Sequence, residues 1–187
     1  MRTILVLGDS ISAGYGLAQD QGWVSLLEQR LRSDKLVYRV VNASISGETT
    51  LGGRNRIADI LAEHEPVVVI IELGGNDGLR GHHLEGIREN LIEIVKACRK
   101  SGAKVVIAGM RVPPNYGPVY ARRFQSLFAE VARQQNASLV PFLLQGFAEN
   151  RKMFQDDGIH PTAAAQGRIL DNVYRRLRPL LRPYPKR

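Results

Sequence analysis

A three-layer α/β/α fold, doubly wound around a five-stranded parallel sheet, is what this chain of 187 residues predicts. Three observations lead there. Short apolar runs recur along the chain without polar alternation, the pattern of strands buried on both faces. Longer segments with apolar residues at helical spacing separate those runs. No repeat, low-complexity tract or linker interrupts the alternation, so residues 1–187 read as one domain.

Thr3 to Leu7 is the first run and stops at Gly8. Trp23, Leu26, Leu27 and Leu31 then share a helical face. Val37 to Val41 is the second strand, and Leu51 to Glu63 is a less clearly patterned helix ended by Pro66. Val67 to Ile71, entirely β-branched, is the third strand. Leu84, Ile87, Leu91, Ile94, Val95 and Cys98 fall on one stripe, closed by Gly102 just past the helix end. Lys104 to Ala108 is the fourth strand. Tyr120, Phe124, Leu127, Phe128 and Val131 mark the next helix, before a short fifth strand at Ser138 to Val140. The last helix starts near Thr162, with Ile169, Leu170, Val173, Leu177, Leu180 and Leu181 on its inner face. The expected strand order is the flavodoxin-like 2-1-3-4-5, which places ligands beyond the carboxyl ends of strands one and three. The loops after Leu7, Val41 and Ile71 are therefore the ones to examine.

Composition bounds the function. Hydrophobic residues at 44% and charged residues at 24% exclude wholesale disorder. A single cysteine, Cys98, excludes an internal disulfide framework and any zinc site built from several thiolates. The longest apolar run, Val67 to Ile71, is far too short to span a bilayer. The first strand begins almost at Met1, which leaves no room for a signal peptide; a periplasmic location is expected if a leader was removed, and a cytoplasmic one if Met1 is the native start. The net charge is +8, from 26 Lys and Arg against 18 Asp and Glu. Six of those basic residues, Arg175, Arg176, Arg178, Arg182, Lys186 and Arg187, lie in a C-terminal helix and tail at about 175–187, and the rest of the chain holds 20 basic against 18 acidic. The excess belongs to the tail. It suggests weak contact with an anionic lipid surface and no specific nucleic-acid partner.

Four stretches carry residue types suited to nucleophilic acyl transfer: Gly8-Asp9-Ser10-Ile11-Ser12, Asn42-Ala43-Ser44-Ile45-Ser46-Gly47, Gly74-Gly75-Asn76-Asp77 and Asp156-Asp157-Gly158-Ile159-His160-Pro161. That chemistry needs a hydroxyl nucleophile, an imidazole base, a carboxylate to orient the imidazole, and donors for the oxyanion. Of the four histidines, His64 sits at a helix end, where a cation suits the dipole. His82 and His83 fall in a glycine-flanked loop. His160 follows Asp157 by three residues and precedes Pro161, which makes it a candidate helix N-cap. There the helix terminus disfavours imidazolium while the carboxylate favours it. By itself the tetrad reads equally well as a simple capped turn. The chain lacks a Gly-x-Ser-x-Gly elbow, a phosphate loop, a dinucleotide fingerprint and His-Glu-x-x-His, and no cofactor or metal is expected.

Taken in order, these blocks resemble those of the SGNH (GDSL) hydrolase family, in particular its bacterial thioesterase/lysophospholipase/arylesterase branch. Gly8-Asp9-Ser10-Ile11 matches the first block, with Ile11 for leucine. Gly47 matches the second, Gly74-Gly75-Asn76-Asp77 the third, and Asp157-Gly158-Ile159-His160 the last. Arg111 to Gly117 is similar to the branch's loop after strand four. The resemblance implies Ser10 as nucleophile, His160 as general base and then acid, and Asp157 as its orienting partner, with Asp156 a rival only by adjacency. It implies an oxyanion hole of the Ser10 N–H, the Gly47 N–H and the Asn76 side chain. It further implies acyl-CoA, lysophospholipid and aryl ester substrates and a monomer. Apolar residues in otherwise polar loops make Leu79, Pro113 and Tyr116 the expected flanks of an acyl groove. Asp9 is expected to brace its turn, and Cys98, Trp23, Phe124 and Phe128 to belong to the core.

Two other classes compete. A metal-dependent phosphoesterase would use Asp9, Asp77, Asp157 and His160 as ligands, but leaves Ser10, Gly47 and Asn76 without a task. A non-catalytic lipid- or nucleic-acid-binding protein would act through the basic tail and tolerate loss of Ser10.

Overall fold

The computed structural model describes residues 1–183. Its strands are β1 (Arg2–Gly8), β2 (Tyr38–Asn42), β3 (Val68–Glu72), β4 (Lys104–Ala108) and β5 (Ser138–Val140). They pair in parallel in the order β2-β1-β3-β4-β5, the order expected. β3 is buried at every position, as its β-branched run requires of a central strand covered on both faces.

Seven helices are described: α1 (Ser10–Ala13), α2 (Trp23–Ser33), α3 (Thr50–His64), α4 (Gly75–Leu79), α5 (Leu84–Lys100), α6 (Pro118–Gln134) and α7 (Ala163–Leu177). α2 packs with α7 in one outer layer, while α3, α5 and α6 pack in succession in the other. The chain leaving β1 thus turns toward one layer and the chain leaving β3 toward the opposite one. The crevice between them opens at the carboxyl end of the sheet. Trp23, Phe124 and Phe128 are core residues, the two phenyl rings meeting edge to face at 5.3 Å.

Helix ends follow local chemistry. Gly102, at φ +86°, lies just past α5 and its N–H reaches the Arg99 carbonyl, while the Ala103 N–H reaches that of Cys98. This double closure needs a left-handed residue, and glycine supplies it without a Cβ clash. α7 ends at Leu177, earlier than expected, with Ile169, Leu170, Val173 and Leu177 buried and Arg175 and Arg176 exposed. The chain continues in a 3-10 turn, Arg178–Leu180, after which Leu181 is buried while Leu180 is only partly so, and Arg178 and Arg182 are exposed. Lys186 and Arg187 of the expected tail lie outside the described residues.

Two helices were not foreseen. α1 and α4 are four and five residues long, too short for a 3.6-residue pattern to register. Both stand where the first and third candidate blocks fall.

Cys98 faces the core from α5 with no exposed surface, and burial pushes its thiol up to about 12. The native protein should leave this thiol unreacted with a disulfide reagent at about pH 8 and release a single equivalent only on denaturation; fast native reaction would place Cys98 outside the core.

Candidate active site

The register of β1 against β3 sets Gly8 opposite Glu72. Beyond Gly8 the chain turns at once into α1, with Asp9 as its N-cap, whose Oδ1 accepts the Ile11 N–H at 3.0 Å. Asp9 therefore does brace the turn. Ser10 is the first residue of the helix, so its N–H has no intrahelical acceptor. Ser12, two residues along, donates its hydroxyl to Glu72 Oε2 at 2.6 Å and accepts the Trp23 indole N–H at 3.2 Å. Its carbonyl accepts Asn42 Nδ2 at 2.8 Å. The Asp9 N–H also points to Glu72 Oε2, at 3.3 Å. Gly8 is glycine for want of space: a Cβ there would lie 2.7 Å from Ser12 Cβ and 2.9 Å from Glu72 Oε2.

His160 arrives on a separate loop. His160 Nε2 stands 2.9 Å from Ser10 Oγ, and its Nδ1 stands 2.5 Å from Asp157 Oδ2. Asp157 Oδ1 accepts the N–H groups of Ile159 and His160 at 2.9 and 3.0 Å. These bonds, the imidazole's foremost, hold the Asp157 carboxyl well below the usual carboxylate range. Asp156, the adjacent rival, offers its carbonyl to Arg151 at 2.8 Å. The same guanidinium binds the carbonyls of Phe154 and Gln155 at 3.1 and 2.8 Å, so one arginine gathers the whole approach to Asp157. Gln155 donates to the Tyr15 carbonyl at 2.8 Å, and the Tyr15 ring lies 4.4 Å from that of His160.

His160 is not a helix cap. Thr162 caps α7, and Pro161 instead bridges to Phe154 in a short antiparallel contact, with the His160 carbonyl taking the Gln155 N–H at 2.8 Å. The helix N-cap lies two residues beyond His160, and the imidazole Nδ1 is bonded instead to Asp157.

Gly47 adopts φ +81°, a left-handed conformation that a side chain at this turn would strain. Its loop is fixed by Arg56, which pairs with Glu48 at 2.6 Å and binds the Ala43 carbonyl at 2.6 Å. Asn76, on α4, donates its amide to the Glu48 carbonyl at 2.9 Å and to Asp9 Oδ2 at 3.3 Å. Asp77 is buried and caps the start of α3 by accepting the Thr50 hydroxyl and N–H at 2.6 and 3.0 Å.

Leu79 and Tyr116 meet: the tyrosine hydroxyl donates to the Leu79 carbonyl at 2.6 Å. Pro113 precedes the 3-10 turn Pro114–Tyr116, and the Tyr120 hydroxyl donates to the His82 carbonyl at 2.8 Å. The loops after β3 and β4 are stapled together. Leu79 remains 37% exposed, and Tyr15, Ile45 and Ile159 are half-exposed on three other loops at this end.

The acids offered as metal ligands do not converge. Among the described residues no three His, Cys, Asp or Glu side chains form a group able to hold a metal ion. Asp77 is committed to Thr50, Asp157 to His160, and Asp9 to Ile11 and Asn76. Sequence reasoning passed over Glu72, Ser12 and Arg151; the one trace of Glu72 is an acid directly closing the most apolar run.

The fold and this constellation define an acyl-ester hydrolase of SGNH type. The chain belongs to the GDSL-like Lipase/Acylhydrolase family, which matches residues 6–168. It is 51% identical over 180 residues to Esterase TesA of Pseudomonas aeruginosa, covering 96% of this chain and 90% of that protein. It is 37% identical over 179 residues to the thioesterase 1/protease 1/lysophospholipase L1 of Escherichia coli, covering 96% and 85%. Its fold superposes on the crystal structure of TesA with a TM-score of 0.94, over 96% of this chain and 100% of that one. The psychrotrophic esterase EstA from Pseudoalteromonas, in a structure inhibited by monoethylphosphonate, gives 0.91 at 39% identity, over 96% and 98%.

Gly8→Ala tests the packing under the nucleophile turn. Because Ser12 is fixed in α1, the added methyl should cost about 1–3 kcal/mol in denaturant unfolding and slow ester hydrolysis together. Unchanged stability would show that the turn has slack.

Proposed function

We propose that this protein works as a single-domain serine esterase and thioesterase, with Ser10, His160 and Asp157 as its catalytic triad. The observation that carries this is the unbroken line of hydrogen bonds from Ser10 Oγ through the His160 ring to Asp157. His160 Nε2 takes the Ser10 proton as Oγ attacks the acyl carbonyl carbon, and then returns it to the leaving alcohol or thiol. Water, deprotonated by the same imidazole, releases the acid from the acyl-serine. Asp157, held as the carboxylate, orients Nδ1–H and stabilises the imidazolium.

The Ser10 and Gly47 N–H groups and Asn76 Nδ2 form the oxyanion hole in this reading. Neither N–H makes a hydrogen bond among the described residues, which leaves both free to donate. Asn76 joins them by exchanging its longer bond, the 3.3 Å one to Asp9. Loss of one such donor slows turnover by about 10²–10³.

The substrates are acyl thioesters, lysophospholipids and aryl esters, the kinds named for the relatives. The exposed apolar rim of Tyr15, Ile45, Leu79 and Ile159 suits an acyl chain lying across the carboxyl end of the sheet, with Pro113 and Tyr116 lining its far side. No helix among the described residues is long and apolar enough to cross a membrane. The enzyme acts as a monomer, in the periplasm if a leader precedes Met1, and touches anionic lipid only weakly.

Ser10→Ala, assayed against acyl-CoA, lysophospholipid and p-nitrophenyl esters, should lose hydrolysis of all three and lose labelling by a fluorophosphonate. Retained turnover with retained labelling elsewhere would remove Ser10 as nucleophile. Asn76→Ala should lower kcat by about 10²–10³, and near wild-type turnover would take Asn76 out of the hole. Leu79→Ser should shift the preference across ester chain lengths, measured as kcat/KM; an unaltered profile would detach Leu79 from the groove.

A further inference from the structure

Glu72 closes β3 with its side chain wholly buried and has no task in the steps above. Among the described residues no lysine, arginine or histidine pairs with it. Its acidic neighbour is Asp9, whose backbone N–H donates to Glu72 Oε2 at 3.3 Å. A fully buried carboxyl with no cation beside it has little to hold a negative charge, which favours the protonated form. The oxygens of Glu72 are not equivalent. Oε2 accepts the Ser12 hydroxyl and the Asp9 N–H, as a carbonyl oxygen does. Oε1 is buried and receives no donor from any described residue, which suits the oxygen that carries the proton.

We propose that Glu72 works as the neutral carboxylic acid, a positioning residue that fixes the nucleophile turn through Oε2 and adds no second negative charge beside the Asp9 carboxyl that binds Asn76. The proposal rests on Asn76 serving the oxyanion. Burial and the neighbouring Asp9 push the Glu72 carboxyl well above the usual range, and burial raises Asp9 to about 6. His160 and Asp77 are the other charges that reach Asp9, acting in opposite directions. Two ionised acids here would bind the Asn76 amide more tightly and oppose the negative charge that develops on the substrate oxygen. A neutral Glu72 removes one of those charges.

Glu72→Gln and Glu72→Leu separate the possibilities. Glutamine reproduces both the acceptor and the donor of the neutral acid, so it should keep kcat within about threefold of wild type. Leucine supplies neither and should lower kcat about tenfold to a hundredfold, with KM changed less than about twofold. Wild-type protein should show the infrared carbonyl stretch of a buried protonated acid at neutral pH, and Glu72→Gln should abolish it. A glutamine variant as slow as the leucine one, or a wild type without that band, overturns the proposal. So does a band that survives in Glu72→Gln and vanishes in Asp9→Asn. Should the leucine variant not fold, the turnover and the infrared band of Glu72→Gln decide alone. Fluorophosphonate labelling keeps the two readings apart: an unlabelled wild type overturns the serine mechanism, whereas a labelled wild type with a slow Glu72→Gln overturns only the role of Glu72.

Discussion

Parallel pairing of β1 with β3, in the register that sets Gly8 opposite Glu72, is the constraint on which the rest of the site depends. The two strands send their outgoing chains to opposite layers, so a crevice opens between them. Into its floor fit Gly8, Glu72 and Ser12, close enough that Gly8 admits no side chain. Ser12 transmits that fit outward, being bonded at once to Glu72, to the indole of Trp23 and, through its carbonyl, to Asn42. Ser10, the proposed nucleophile, stands on a four-residue helix too short to be stable alone, and these contacts from β2, β3 and α2 hold it in place.

The opposite half of the site is built differently. The loop carrying Asp157 and His160 is organised almost entirely by bonds within itself, from Arg151, Gln155 and the Asp157 carboxylate. It touches the nucleophile half at few points: Ser10 with His160, Gln155 with the Tyr15 carbonyl, and the Tyr15 ring against the imidazole. Behind it, Gln166 on α7 accepts the Trp23 N–H at 3.0 Å, so the helix after the histidine is anchored to the helix after the serine. A locally rigid loop docked on a rigid floor allows a short Ser10–His160 contact across 150 residues of sequence.

That contrast explains what could be read from the chain before its fold was known. Asp157-x-x-His160 is visible because its interactions span three residues. The strands are visible because full burial writes itself as an unbroken apolar run. Ser12 and Glu72 bond across 60 residues, and no local pattern carries such a contact. Neither is a Ser or Glu at those places unusual, since capping serines and strand-ending acids are common. Pro161 misled for the opposite reason: proline often opens a helix, yet here a tertiary bridge to Phe154 took it, and Thr162 became the cap. α1 and α4 were hidden by their length, although the glycines and polar residues at their starts marked both places as turns.

The basic C-terminus finds its meaning in the same geometry. Strands that run parallel begin together at one end of the sheet and finish together at the other, where the loops of the proposed active site lie. Arg182 meets Tyr38 at the start of β2 and Arg2 at the start of β1, and Lys104 at the start of β4 binds the Leu180 carbonyl. The described part of the tail therefore lies along the amino ends of the strands. The seven residues of β1 separate it from Ser10 by about 20 Å. That exceeds the screening length of about 8 Å at physiological ionic strength. Charge placed there has little influence on a substrate arriving at Ser10. Any anionic surface the tail meets would face the end of the molecule opposite the apolar rim, so the +8 and the hydrolysis of acyl chains are separate properties of one fold.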